Sequence, residues 1–133
     1  MALFQVKMVS PEKTVWEGKA SLATFRTLEG SMGVLDKRAP LVVSLDVAPL
    51  KLQSENGPIE FAVHGGILKM DGELLIVITD AAERVEDIDV YRAEAARKRA
   101  MDRLEKARND RERIKAKFSL QKNLLRERLG KER

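Results

Sequence analysis

The stretch "AAERVEDIDVYRAEAARKRA", residues 81–100, decides how the chain is read, because the pattern of apolar residues changes inside it. Ahead of it, turn chemistry recurs as "SPEK" (10–13), "WEGK" (16–19), "LEGSMG" (28–33), "DKRAP" (36–40), "SENGP" (54–58) and "MDGE" (70–73). Between these lie runs with strand character: "LFQVKMV" (3–9), "ASLATFRTL" (20–28), "LVVSLDV" (41–47), "EFAVHGG" (60–66) and "ELLIVIT" (73–79). From Asp87 onward, Ala93, Ala96, Ala100, Leu104 and Ala107 recur at spacings of three and four, which is one face of a helix. Asn109, followed three residues later by Glu112, forms a capping box for a second helix. Ile114, Phe118, Leu125 and Leu129 are expected to trace that helix's apolar face.

Working outward, the pattern predicts an α+β chain: about nine or ten strands in an antiparallel β-sandwich or flattened barrel over residues 1–86, then an antiparallel two-helix hairpin over 87–133. "NG" at Asn56–Gly57 and "DG" at Asp71–Gly72 are hairpin signals, since both turn residues can take positive φ. Gly65–Gly66 mark a bulge or a strand break. An alanine seam lets two helices approach closely while burying little area per residue, so the helical hairpin is expected to be weakly held.

Charge divides at the same place. Residues 1–86 carry 9 Lys and Arg against 12 Asp and Glu, whereas residues 87–133 carry 16 against 9. The basic excess belongs to the tail and points to an anionic partner there. Cysteine is absent, which rules out disulfides and thiol chemistry. The N-terminal "MALFQVKMVSPEK" lacks the apolar run of a signal peptide, and no stretch is long enough to span a membrane. The cytosol, or the cytosolic side of a membrane, is therefore the expected location.

Catalytic readings find little support. His64 is the only histidine, with no partner set for a metal or a nucleophile, and is read as a strand residue in a structural role. Trp16, the only tryptophan, is read as a packing residue. "GSMGVLDK" (30–37) lacks the spacing of a phosphate loop and reads as a glycine-rich turn.

The basic residues of the tail do have positional order. Arg92 and Arg99 are seven apart, and Lys122 and Arg126 four apart, so each pair shares a helix face. An antiparallel hairpin brings both pairs toward Asp89, where a multiply charged anion would offset their repulsion. The competing account is a simple Asp89–Arg92 pair at a helix start. A nucleic-acid-binding accessory protein acting through the basic tail stands as the alternative function. Interspersed acids, one aromatic on each helix (Tyr91 and Phe118) and the lack of a recognition-helix motif weigh against it.

Four segments, "VSPEKTVWEG" (9–18), "GSMGVLDKRAPL" (30–41), "AVHGGILKM" (62–70) and "AAERVEDIDVYRAEAARKRA" (81–100), together resemble the epsilon subunit of bacterial F-type ATP synthases, in the family's order and spacing. "IDVYRA" (88–93) is similar to the I/L-D-x-x-R-A pattern of the ATP-binding, bacillus-like members. The resemblance implies a ten-stranded β-sandwich ahead of the two helices. It also implies a non-catalytic subunit of the rotating central stalk, coupling proton transport to ATP synthesis. It is expected to sit as a peripheral membrane protein on the cytoplasmic face of the cell membrane. Its sandwich would bind the gamma subunit and the c-ring. Its helices would either fold up or extend toward the alpha and beta subunits of the catalytic head, restraining ATP hydrolysis. The folded form would bind ATP, with or without Mg2+, as a regulatory ligand, and no nucleic acid is expected. Carried over by position, Glu83, Ile88, Asp89 and Ala93 would border the base, and Arg92, Arg99 and Arg126 would hold the phosphates. Lys122 stands where some ATP-binding members have arginine, and it offers a point charge in place of a planar fork. Asp36 and Arg38 depart from the proline and histidine usual in the family's sandwich loop, and His64 stands where serine is common.

Overall fold

A computed structural model describes residues 2–133, apart from the side chain of Arg38, so the expected departure at that side chain lies outside the described residues. The chain forms two compact units, which divide between Arg84 and Val85.

The first unit contains seven strands: β1 (Phe4–Val9), β2 (Thr14–Thr27), β3 (Gly30–Val34), β4 (Arg38–Ser54), β5 (Gly57–Gly72), β6 (Leu74–Ile78) and β7 (Ala82–Arg84). Hydrogen bonding runs β1-β6-β5-β4-β2-β3, with β7 paired to β5. Because β1 also pairs with β2, the ladder closes on itself and leaves β3 and β7 as short appendages. Closure removes most of the exposed edge that an open sheet presents. All pairings are antiparallel except β1 with β6.

Ten strands were expected and seven are found among the described residues, because three are long. β2, β4 and β5 run for 14, 17 and 16 residues, passing through bends instead of ending at them. "WEGK" is no turn: Gly18 continues β2, and a Cβ there would fall 2.7 Å from the Trp16 ring, which lies over it. Gly65 and Gly66 (φ 81° and 128°) bend β5 without shifting its register on β4. At that bend β5 exchanges neighbours, pairing with β7 before it and with β6 after it. A Cβ at Gly66 would lie 2.2 Å from the Ile78 carbonyl oxygen, so glycine is required at this corner.

Hairpins form at both marked turns, joining β4 to β5 at Asn56–Gly57 and β5 to β6 at Asp71–Gly72. Of the turn residues only the glycines have positive φ (118° and 64°). Side-chain bonding supplies what the second left-handed residue would have: Ser54 Oγ donates to Gly57 O at 2.6 Å and accepts from the Asn56 N–H at 3.2 Å.

Alternation builds the core. Phe4, Val6 and Met8 of β1 are buried on one face, as are Leu75 and Val77 of β6, and they join Phe25, Leu50, Leu52, Phe61, Leu68 and Met70. Trp16 packs edge-to-face on Phe61 at a centroid separation of 6.3 Å, the packing role its sequence suggested. His64 is buried in β5, and its backbone N–H donates to Ala81 O.

The second unit opens with a 3₁₀ turn over Val85–Asp87, followed by α1 (Val90–Glu105) and α2 (Asp110–Glu132). No helix of the described residues is long and apolar enough to cross a membrane.

Candidate functional site

The hairpin carries seven of the eight residues singled out from the sequence; the eighth, Glu83, lies on β7 opposite Ala62 in the first unit. Asp89 adopts an extended conformation as the N-cap of α1, and its Oδ1 accepts from the Arg92 backbone N–H at 3.1 Å. This satisfies one of the orphan donors of the first turn. Asp89 and Arg92 are thus joined through the backbone of Arg92. Asn109 caps α2 in the same manner, accepting from the Glu112 N–H at 2.9 Å. Glu112 reaches back to the Arg108 N–H at 2.8 Å, one residue earlier than a strict capping box.

The buried positions of α1 are small, Ala93 and Ala100, whereas α2 buries Ala116, Asn123, Leu125, Glu127, Leu129 and Gly130. The helices run antiparallel, since Arg97 of α1 meets Glu127 near the end of α2, and Arg133 reaches carbonyls ahead of α1. The apolar stripe expected on α2 is buried only in its second half, at Leu125 and Leu129. Ile114 and Phe118 are 67% and 42% exposed. At about 100° per residue, that stripe lies on the opposite side of α2 from the Ala116–Asn123–Glu127 row. The row that includes Arg97's partner therefore faces α1.

One flank of the hairpin is closed by an ion-pair cluster. Glu127 accepts from Arg97 Nε at 2.5 Å and from Lys131 Nζ at 2.9 Å, and its side chain is only 11% exposed. The hydrogen bond from Lys131 holds the Glu127 carboxyl below its ordinary range; burial opposes this and Arg97 reinforces it. Glu127 in turn raises Lys131.

The other flank is cationic. Turning about 100° per residue, Arg92 and Arg99 stand about 140–160° round α1 from Arg97. Lys122 and Arg126 stand about 140° and 100° round α2 from Glu127. Because Arg97 and Glu127 meet on one side of the seam, these four residues share the other. Arg99 falls level with the Lys122–Arg126 pair, and Arg92 lies about 10.5 Å further toward the start of α1 at 1.5 Å rise per residue. Arg92 and Arg99 are exposed, whereas Lys122 and Arg126 are half-buried. Arg126 Nη1 donates to Asn123 Oδ1 at 3.1 Å, which orients the guanidinium. Ile88 and Ala93, near the start of α1, are buried at 1% and 0% exposure and present no surface to a ligand in this arrangement. A row of cations suits an elongated polyanion. No cluster of three or more metal-ligating side chains forms among the described residues.

Sequence reading missed Arg97, Glu127, Gly130, Lys131 and Arg133. The Glu127–Lys131 spacing of four is legible as a helix pair. The Arg97 bond crosses 30 positions and the Arg133 bonds cross 45–48, with no local signal.

Residues 3–85 match the family described as ATP synthase, Delta/Epsilon chain, beta-sandwich domain, and residues 86–128 match its long alpha-helix domain. The ATP synthase epsilon chain of Ruminiclostridium cellulolyticum is 35% identical, over 95% of this chain and 94% of its own. The sodium-ion-specific epsilon chain of Propionigenium modestum is 35% identical over 99% and 96%, and the Brevibacillus brevis epsilon chain 37% over 78% and 80%. Among solved structures, a chain of the Euglena gracilis mitochondrial ATP synthase (OSCP/F1/c-ring) shares the fold at a TM-score of 0.78 and 21% identity, covering 94% of this chain and 79% of that one.

Proposed function

The chain belongs to the ATP synthase delta/epsilon family, and from that premise we propose that its helical hairpin is a nucleotide-biased switch within the rotor. As an epsilon chain it is a non-catalytic subunit of the central stalk. The proposal assigns the sandwich to binding the gamma subunit and the c-ring, on the cytoplasmic face of the membrane. It assigns the hairpin two arrangements: folded, as described above, or extended toward the alpha and beta subunits, where it restrains ATP hydrolysis.

One observation supports ATP as the ligand that favours the folded arrangement. Arg92, Arg99, Lys122 and Arg126, two from each helix, share a flank only while the helices lie side by side. A polyanion there loses half its partners when the hairpin opens, so its binding favours closure. A ligand at a hundred times its dissociation constant, binding only the closed form, stabilises it by about 2.7 kcal/mol. Any Mg2+ would be held through the phosphates, since the chain's own carboxylates do not gather there.

Calorimetric titration of the chain with ATP and with GTP tests the proposal. Saturable one-to-one binding, tighter for ATP and without turnover, is expected. Equal affinity would reduce the site to a generic anion patch, and duplex DNA binding without ATP affinity would favour the nucleic-acid alternative.

A further inference from the structure

The end of α2 meets the start of α1 through two contacts that the nucleotide reading does not use. Arg133 Nη1 donates to three backbone carbonyl oxygens: Val85 at 3.1 Å, Glu86 at 3.2 Å and Ile88 at 2.6 Å. All three carbonyls belong to the 3₁₀ turn or to the residue just before the N-cap of α1. One turn back along α2, Gly130 lies flat against the same segment. A Cβ built at Gly130 would fall 2.6 Å from Val90 Cγ2 and 3.2 Å from Ile88 Cγ2. Gly130 is neither a cap nor a turn, since α2 continues through Glu132. Glycine is about 1 kcal/mol worse than alanine inside a helix, so its presence here is explained by the close approach it permits.

We propose that Gly130 and Arg133 form a latch, which holds the last turn of α2 onto Val85–Val90 and favours the closed hairpin independently of any bound anion. Charge-assisted donation to three convergent carbonyls is strong for a single side chain, and it is lost as one unit when α2 leaves. Gly130 sets how close α2 must come for Arg133 to reach. The latch sits at the open end of the hairpin, where two antiparallel helices would otherwise fray first. It rests on reading the hairpin as an element that opens, but it does not depend on ATP being the ligand.

Nucleotide-free hydrogen exchange of the full chain, read by mass spectrometry, tests the latch. The reporters are the amides of Ile88 and Ala93, which donate to Val85 O and Asp89 O. Arg133→Gln should speed their exchange about three- to tenfold, as expected for a local opening, and leave the β4 and β5 amides unchanged. Arg133→Lys should recover part of the protection, because an ammonium has three donors for three carbonyls. Gly130→Ala should speed exchange at the same amides by at least as much as Arg133→Gln. Unchanged exchange at Ile88 and Ala93 in Arg133→Gln overturns the latch, as does acceleration that spreads equally through the sandwich. A separate ATP titration of the parent chain keeps the two readings apart: absence of ATP binding refutes the nucleotide reading and leaves the exchange result standing.

Discussion

Arg92 and Arg126 carry the sharpest residue-scale expectation, because they approach the same flank from different helices. If both touch one polyphosphate, either change to alanine removes a charge-assisted contact of about 1.5–3 kcal/mol. Calorimetry should show ATP binding weakened about tenfold to a hundredfold in each variant, and the double variant should be non-additive because the two residues share a ligand. Lys122→Arg should tighten binding, since a guanidinium fork meets phosphate oxygens better than a point charge. Glu127 sets a pH limit on the other flank. Its folded pKa lies below the ordinary 4.5, so the stability it adds is complete above about that value and is lost as pH falls through the lower folded value. Lys131, raised above 10.5, adds stability that is complete below that value and is lost only as pH rises through its higher folded value. Exchange at the α1 and α2 amides should therefore accelerate below about pH 4.5, before the sandwich loosens. Glu127→Gln should loosen the hairpin at neutral pH and flatten that acid limb; an acid limb unchanged in the variant would assign it to other carboxylates.

At the scale of elements, the long strands and the thin helical seam call for opposite outcomes. Gly66 sits where β5 turns from β7 to β6, and a Cβ there meets the Ile78 carbonyl, which is backbone and cannot swing aside. Gly66→Ala should lower sandwich stability by about 2–3 kcal/mol in urea melts; a loss under about 0.5 kcal/mol would mean that the corner relaxes freely. The α1–α2 seam is different in kind. Ala93, Ala100, Ala116 and Gly130 bury little area, so buried Leu125 and Leu129 are supplemented by polar fastenings: the Asp89 cap, the Arg97–Glu127–Lys131 cluster and the Arg133 carbonyl contacts. Polar fastenings can be exchanged for water or for another partner at small net change in free energy, whereas an apolar core cannot. A switch element is expected to be built this way.

For the whole molecule, the division between Arg84 and Val85 separates a closed, core-filled sandwich from a hairpin that contributes no residue to that core. A chain ending at Arg84 should fold, bind the gamma subunit and support coupled ATP synthesis, while restraint of ATP hydrolysis is lost; aggregation, or failure to bind gamma, would overturn that assignment. The seam near Asp87, the strand-rich first part, the two helices and their caps at Asp89 and Asn109 were all legible in the sequence. Each rests on local physics: alternation, helical periodicity, and a short polar side chain three residues ahead of a free N–H. The grouping of Arg92 and Arg99 on one face and of Lys122 and Arg126 on another was legible for the same reason. Local physics does not say where a bend ends a strand, which is why ten strands were expected and seven formed. Whether Gly65–Gly66 breaks β5 or merely turns it depends on β4 continuing to pair alongside. Nor could it say which side of α2 meets α1: Ile114, Phe118, Leu125 and Leu129 trace an apolar face of which only the last two are buried, and the side that carries Glu127 faces α1, where Arg97 lies 30 positions away. The sequence by itself determined the elements and their caps, which depend on neighbours within four residues. Only the tertiary structure decided strand continuity, the helix contact face and the Arg133 fastening, because each depends on a partner distant in sequence.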